Sequence, residues 1–531
     1  MSALLFDRSP AAVVLARRGE EGPAPDAELA TASSAAAGLH VPLLVVDRNG
    51  SDGAEVMAEL DRLGAETVIG YGDPTADWEA LAGPRDLVSG PTTAAGFEPV
   101  LGLSVTPLPV AEPGVVASVG ALGGPDPRLL TLEPAAPAAP DAVPDTAPDP
   151  LPDASAPDAS AAATSAPSPG AGLADLATTE KVPDFTPAAQ PDPALVLATP
   201  SSALAPLATA RAAGADVELV AEADPRATGR SVDAVRSHAD RAILAVGDAF
   251  GSEEIFTERI RVAATAAQLP GGGQTIFPGR RMVALYGHPS GPYLGALGEQ
   301  GIEATLARVK DLAAQYQPFS DEPVIPALDL IATVASADPG ADGDYSSETS
   351  IDELEPWIDA AEEQGVYVVL DLQSGRSDFL SQAKLYEELL ARPSVGLALD
   401  PEWRLLPGQQ PLEQIGTVGT TEINAATTWL ADLTRDRALP QKLLMVHQFR
   451  IDMISEREDL DVSRTELAVT LHADGHGTPA QKLDTWFALQ AVPPEGTWPS
   501  WKNFYDEDQP MLTPEQTYTL VDPKPWLVTY Q

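Results

Sequence analysis

The chain contains no cysteine. That excludes disulfides, a thiol nucleophile and a lipid-bearing cysteine, though it does not fix the compartment. Basic residues are scarce: 32 Lys and Arg stand against 78 Asp and Glu, for a net charge of −46. Nucleic-acid binding, which draws its affinity from basic patches, is therefore not expected, nor is docking on anionic lipid. No run approaches the roughly 18–20 apolar residues of a membrane span, so membrane insertion is not expected either. The opening MSALLFDRSPAAVVLARRGEEG lacks the basic start and long apolar core of a signal peptide. The chain is then either cytoplasmic or begins after a removed export signal. Domain sequence directly behind Met1 suits the second case, an extracellular or cell-envelope location.

What the 531 residues do contain is enough for three or four domains. Residues 1–133 alternate short apolar runs with helical stretches: AAVVLA (Ala11–Ala16), a helix near Ala27–Gly38, PLLVVD (Pro42–Asp47), MAELDRLG (Met57–Gly64) and TVIGYG (Thr67–Gly72). This is the pattern of a doubly wound α/β unit. Residues 134–192 are mostly Pro, Ala, Asp and Ser at first and cannot bury a core, which predicts an extended acidic linker. The first pattern returns over residues 193–270, as ALVLATPSSALAPLATARAAGADVELV and VDAVRSHADRAILAVGD. VVLAR parallels LVLAT, and LDRLGAETVIGYGD parallels VRSHADRAILAVGD, so the two stretches read as an internal repeat split by an insert. At these residues the chain resembles the type 2 cell-wall-binding repeat, departing from it where Gly72-Asp73 and Gly247-Asp248 replace the more usual Gly-Gly. The resemblance implies a flavodoxin-like fold and a cell-wall polysaccharide as partner.

Residues 271–531 alternate again over a length typical of a (β/α)8 TIM barrel. The expected strands are Met282–Gly287, Val324–Val334, Val366–Leu372, VGLALD from Val395, Lys442–Phe449, Glu466–Asp474, Thr485–Ala491 and Pro525–Tyr530. Polar groups gather at their C-terminal ends, where such barrels carry their sites. They are His288, Asp329, Asp371 with Gln373, Asp400 with Glu402 and Trp403, His447 with Gln448, and His472 with Asp474 and His476. In an extended chain Asp400 and Glu402 share one side, and Leu397 and Leu399 the other. Only 5% of the chain is aromatic, yet Trp403, Trp486, Trp498 and Trp501 fall in this part, and rings of this kind stack on sugars.

The motifs ALYGHP, LDLQSGRSDFL, VGLALDPEW, KLLMVHQF and WKNFYDED resemble an uncharacterised family of secreted actinobacterial proteins. More loosely, the segment looks like a glycoside-hydrolase barrel. That resemblance implies an acid Glu after strand 4, the place of Glu402, while the usual second Glu at strand 7 has no counterpart. With Glu402 as acid, the partner carboxylate is Asp371, Asp400 or Asp474. His288, Asp329, Gln373, Trp403, His447, Gln448, His472 and Trp501 would bind substrate, with no cofactor and no metal. Two other readings remain open. His447, His472, Asp474 and His476 could serve a metal-dependent, amidohydrolase-like hydrolase. Alternatively, the protein binds cell wall without catalysis.

Overall fold

The computed structural model describes residues 1–17, 27–47, 52–73, 76–111, 114–123, 126–132, 180–187 and 193–531. Of the expected linker, residues 134–192, only 180–187 fall within these, so the rest of it lies outside the described residues. The chain divides into two compact units. One is Met1–Ala223 with Asp240–Phe250; the other is Asp224–Ala239 with Gly251–Gln531.

The first unit carries three small parallel sheets. Ala11–Ala16 runs between Leu43–Val46 and Thr67–Gly72, with Asp86–Ser89 outermost. Leu195–Ala198 lies between Asp216–Leu219 and Ile243–Val246. Thr106–Val110 pairs with Arg128–Leu132. The central strands AAVVLA and LVLA are buried along their whole length, as uninterrupted apolar runs require. Alanine-rich helices Ala27–Leu39 and Leu204–Ala212 let backbones approach closely. Residues from both stretches of sequence, among them Val13, Ala36, Val196 and Leu207, share one core. Thr209 sews them together, its Oγ1 accepting from Leu43 N–H at 3.1 Å and donating to Leu43 O at 3.0 Å.

The second unit is built on a closed barrel of eight parallel strands. In chain order these are β1 (Arg281–Gly287), β2 (Val324–Ala335), β3 (Tyr367–Leu372), β4 (Val395–Leu399), β5 (Lys442–His447), β6 (Leu467–Ala473), β7 (Trp498–Asn503) and β8 (Leu527–Tyr530). Pairing of β1 with both β2 and β8 closes the ring. The helical stretches 224–239 and 251–265, which the sequence assigns to the second repeat half, belong to this unit. Buried Arg226 fastens the first of them, bonding Asp224 at 2.8 and 3.0 Å and reaching the Thr465 carbonyl at 3.3 Å.

One expected strand is corrected. Thr485–Ala491 is not β7: Pro479–Gln490 is a helix, capped by a reciprocal Thr478–Gln481 box. The seventh strand is Trp498–Asn503, pairing with β6 and β8.

Alternation sorts each strand into two faces. Val283, Leu328, Leu370, Leu397, Leu399, Val446, Leu471 and Val528 face the surrounding helices in one large core. The opposite parity fills the barrel. Its lower half is apolar, with Met282, Ala284, Ala327, Tyr367, Val369, Ala398, Leu443, Met445, Ala468 and Leu527 in a second core. Two residues further along the same face, the side chains turn polar: Tyr286, Asp329, Asp371, Asp400, His447, Thr470, Ser500 and Thr529.

Candidate active site

This polar layer opens into a cavity of about 580 Å³ at the C-terminal mouth. Asp400, Glu402, Asp474, Gln373, Lys502 and His476 supply its polar wall, and Tyr286, Tyr293, Trp403, Phe449 and Phe504 its rings.

Asp400 shares the inward parity of Ala398. Extended geometry stops there: Pro401–Trp403 is a 3-10 turn, capped by Asp400 Oδ1 accepting from Glu402 N–H at 3.1 Å. Glu402 therefore reaches the cavity through the turn rather than by strand parity. Burial pushes its carboxyl up to about 7, and the charge of Asp474 adds to the effect. Asp400 is raised well above the usual carboxylate range by burial, then by Asp371 and Asp474.

Asp474 accepts a hydrogen bond from His447 Nδ1 at 2.9 Å on its Oδ2, while its Oδ1 has no hydrogen-bond partner. Burial disfavours the imidazolium of His447, but Asp371, Asp474 and Asp400 outweigh it and lift His447 to about 10. His472 behaves oppositely. It is held between Ser500 Oγ and Thr529 Oγ1, both at 2.9 Å. Burial and then the charges of His447 and Lys502 drive its pKa well below the usual imidazole range. His472 is thus a neutral strut behind the site.

Asp371 and Asp329 are 0% exposed and form no part of the cavity wall. Asp329 lies one layer deeper, level with Val369 of β3, while Asp371 is level with Ile331. Burial raises both carboxyls, Asp329 to about 7 with help from Asp371. Gln373 is fixed in the wall, accepting from Ala335 N–H at 3.0 Å and donating to Tyr286 Oη at 3.1 Å.

Besides Asp329, Asp371 and His447, four of the residues expected at the site stand away from the cavity wall. His288 is engaged by Ser290 and Thr349 at 2.7 and 2.8 Å, and Gln448 by Arg457 at 3.0 Å. His472 is the strut described above. Trp501 has the outward parity of β7: it packs edge-on against Trp486 at 5.6 Å and donates to Asn503. Trp486 is likewise interior, and Trp498 packs with Trp526 and Phe277 by the barrel's apolar floor. Only Trp403 of the four tryptophans faces the cavity.

Sequence reasoning missed Lys502 and Tyr286. Lys502 stands on β7 in the cavity wall, with its Nζ 3.5 Å from the centroid of the Tyr286 ring. The WKNF motif contained the signal, but only a correct β7 gives Lys502 its inward parity.

No protein-family model and no curated protein matches this sequence. Among solved structures, the chain is similar to a GH5 xyloglucanase from Bacteroides ovatus in complex with a heptasaccharide, at 14% identity and a TM-score of 0.22, over 39% of this chain and 58% of that one. It is also similar to a mutant of the trehalulose synthase MutB, at 12% identity and a TM-score of 0.22, over 42% of this chain and 56% of that one. The chain thus spans a little over half the length of either protein.

Proposed function

We propose that the barrel hydrolyses glycosidic bonds in a cell-envelope polysaccharide, with Glu402 as proton donor and Asp474 as the opposing carboxylate. The observation that carries this reading is the arrival of both carboxyls in one ring-lined cavity. Glu402 sits among buried groups that favour its protonated form. Asp474 accepts a hydrogen bond from His447 Nδ1 at 2.9 Å, which fixes its carboxyl in the wall. A proton donor and a second carboxyl group in one cavity are what glycoside cleavage needs. Glu402 gives its proton to the departing oxygen as the anomeric C–O bond breaks. Water supplies the new oxygen, and its released proton ends on the carboxylate pair. Tyr293, Trp403 and Phe449 offer faces for sugar rings. The repeat-like sequence of the first unit and its resemblance to wall-binding repeats support an extracellular substrate.

The test is release of reducing ends from purified wall polysaccharides by the 531-residue chain. Glu402→Gln should lower turnover by about 10²–10⁴ while sugar binding persists. Absence of release from every polysaccharide, or a fully active Glu402→Gln, refutes the assignment.

A further inference from the structure

We propose that Asp329, Asp371 and His447 form a binding site for a divalent first-row metal ion inside the barrel, below the mouth cavity. One donor atom from each lies within 4.8 Å of the other two, and all three residues are 0% exposed. No carboxylate oxygen of Asp329 or Asp371 has a partner at hydrogen-bond distance, nor has Nε2 of His447, although the nearby Tyr286 hydroxyl favours the Asp371 anion. Five orphaned polar atoms on three neighbouring buried residues carry a heavy desolvation cost unless something satisfies them. A cation does so at a stroke.

The histidine is prepared for this role. Its Nδ1 is engaged by Asp474 at 2.9 Å, which leaves Nε2 to the ion, whose binding releases the second imidazolium proton to solvent. This is the carboxylate–histidine–metal arrangement, in which an outer carboxylate fixes the tautomer of the ligand. Nε2 stands 3.8 Å from Asp371 Oδ2. That is too long for a hydrogen bond, and it lies within a few tenths of an ångström of the roughly 3.3–3.6 Å between two ligands on a tetrahedral ion about 2.0–2.2 Å from each. The alternative donor set, Asp400, His447 and Asp474, is already closed by the His447–Asp474 hydrogen bond. The three ligands come from separate strands, β2, β3 and β5, so the framework holds them in place.

One imidazole and two carboxylates suit zinc or manganese. Three protein ligands leave room for water on the ion, as in open metal sites. The inference does not depend on glycoside hydrolysis, since the orphaned atoms need satisfying whatever the cavity binds.

The experiment strips the full chain with chelator and adds Zn²⁺ or Mn²⁺ alone, then measures retained metal after gel filtration and the melting temperature. The expected result is one equivalent retained and a melt several degrees higher. Asp371→Asn and Asp329→Asn should each retain less than a tenth of an equivalent, with no metal-induced shift. A variant lacking the exposed acidic cluster, Asp342→Asn with Asp344→Asn, should retain the full equivalent. Should the barrel variants fail to fold, pulsed EPR of Mn²⁺-loaded wild type decides, by detecting or not detecting one coordinated histidine nitrogen. Less than a tenth of an equivalent on wild type, no nitrogen coupling, or loss of metal only in the Asp342/Asp344 variant overturns the proposal.

Discussion

Asp508→Ala tests how the mouth is braced. Lys482 and Asp508 form an ion pair at 2.5 Å, with side chains only 3% and 2% exposed. The Lys482 ammonium also donates to the Lys502 carbonyl at 2.6 Å. Asp508 accepts from Phe504 N–H at 2.9 Å and Gly477 N–H at 3.0 Å. One carboxylate therefore ties the loop after β6, the helix Pro479–Gln490 and the end of β7, which carries Lys502. Removing it strands a buried ammonium, and breaking such a pair costs about 3–5 kcal/mol. Two N–H donors also lose their acceptor, which places the expected loss toward the upper end. At about 2–4 °C per kcal/mol for a unit of this size, the melt should fall by roughly 6–20 °C. Urea titration followed by tryptophan fluorescence reads this unit well, since seven of the eight tryptophans lie beyond residue 281 and only Trp78 lies in the first unit. Lys482→Met combined with Asp508→Leu removes both charges and should recover most of the loss. A loss below about 1 kcal/mol for Asp508→Ala, or a double variant no better than the single, would refute the reasoning, because either outcome means that no uncompensated charge was created.

Three further outcomes are expected. Glu402, raised to about 7, keeps its proton below neutrality and loses it above. Wild-type turnover should therefore fall about tenfold per pH unit on the alkaline side, and the same limb in Glu402→Gln would assign it elsewhere. At Gly396 of β4 a Cβ would stand 2.7 Å from the Leu443 carbonyl and 2.9 Å from Tyr367 Oη. Gly396→Ala should cost about 1–3 kcal/mol in chemical denaturation, and an unchanged midpoint would show that β5 can give way. Deleting Val528–Gln531 removes most of the β8 pairing with β1 and the 2.6 Å contact between Tyr316 and Tyr530. Cooperative unfolding should be lost, and a normal melt would mean that the ring stays stable when open.

Most barrel strands were legible because their outward faces are unbroken aliphatic series against the helices. β7 was not, for a physical reason. WPSWKN turns Ser500 and Lys502 into the polar upper half of the barrel, so it lacks the apolar run that marks the other strands. WFALQ drew the assignment instead, although Thr478, Pro479 and Gln481 already spell a helix start. Parity placed Asp400 inward but could not anticipate that Pro401 ends the strand, so Glu402 arrives by a different path. Trp501 shows the limit of reasoning from residue type. Its ring is as suited to sugars as that of Trp403, and only register sends it under the helices. The engagement of His472 by Ser500 and Thr529 depends on contacts across β6, β7 and β8 that no local pattern reveals.

Closure of the ring also sets a schedule for synthesis. Met282 of β1 pairs with Leu527 of β8, and the last bond between these strands reaches Tyr530. At about 5–20 residues per second, roughly 12–50 s pass between the emergence of the first of these strands and the last. Throughout that interval β1 has only β2 to pair with, and its other edge stays open to any neighbouring chain. The edge of β1 is therefore most exposed to misassembly before β8 arrives. A chaperone that shields strand edges during that interval should raise the yield of folded protein.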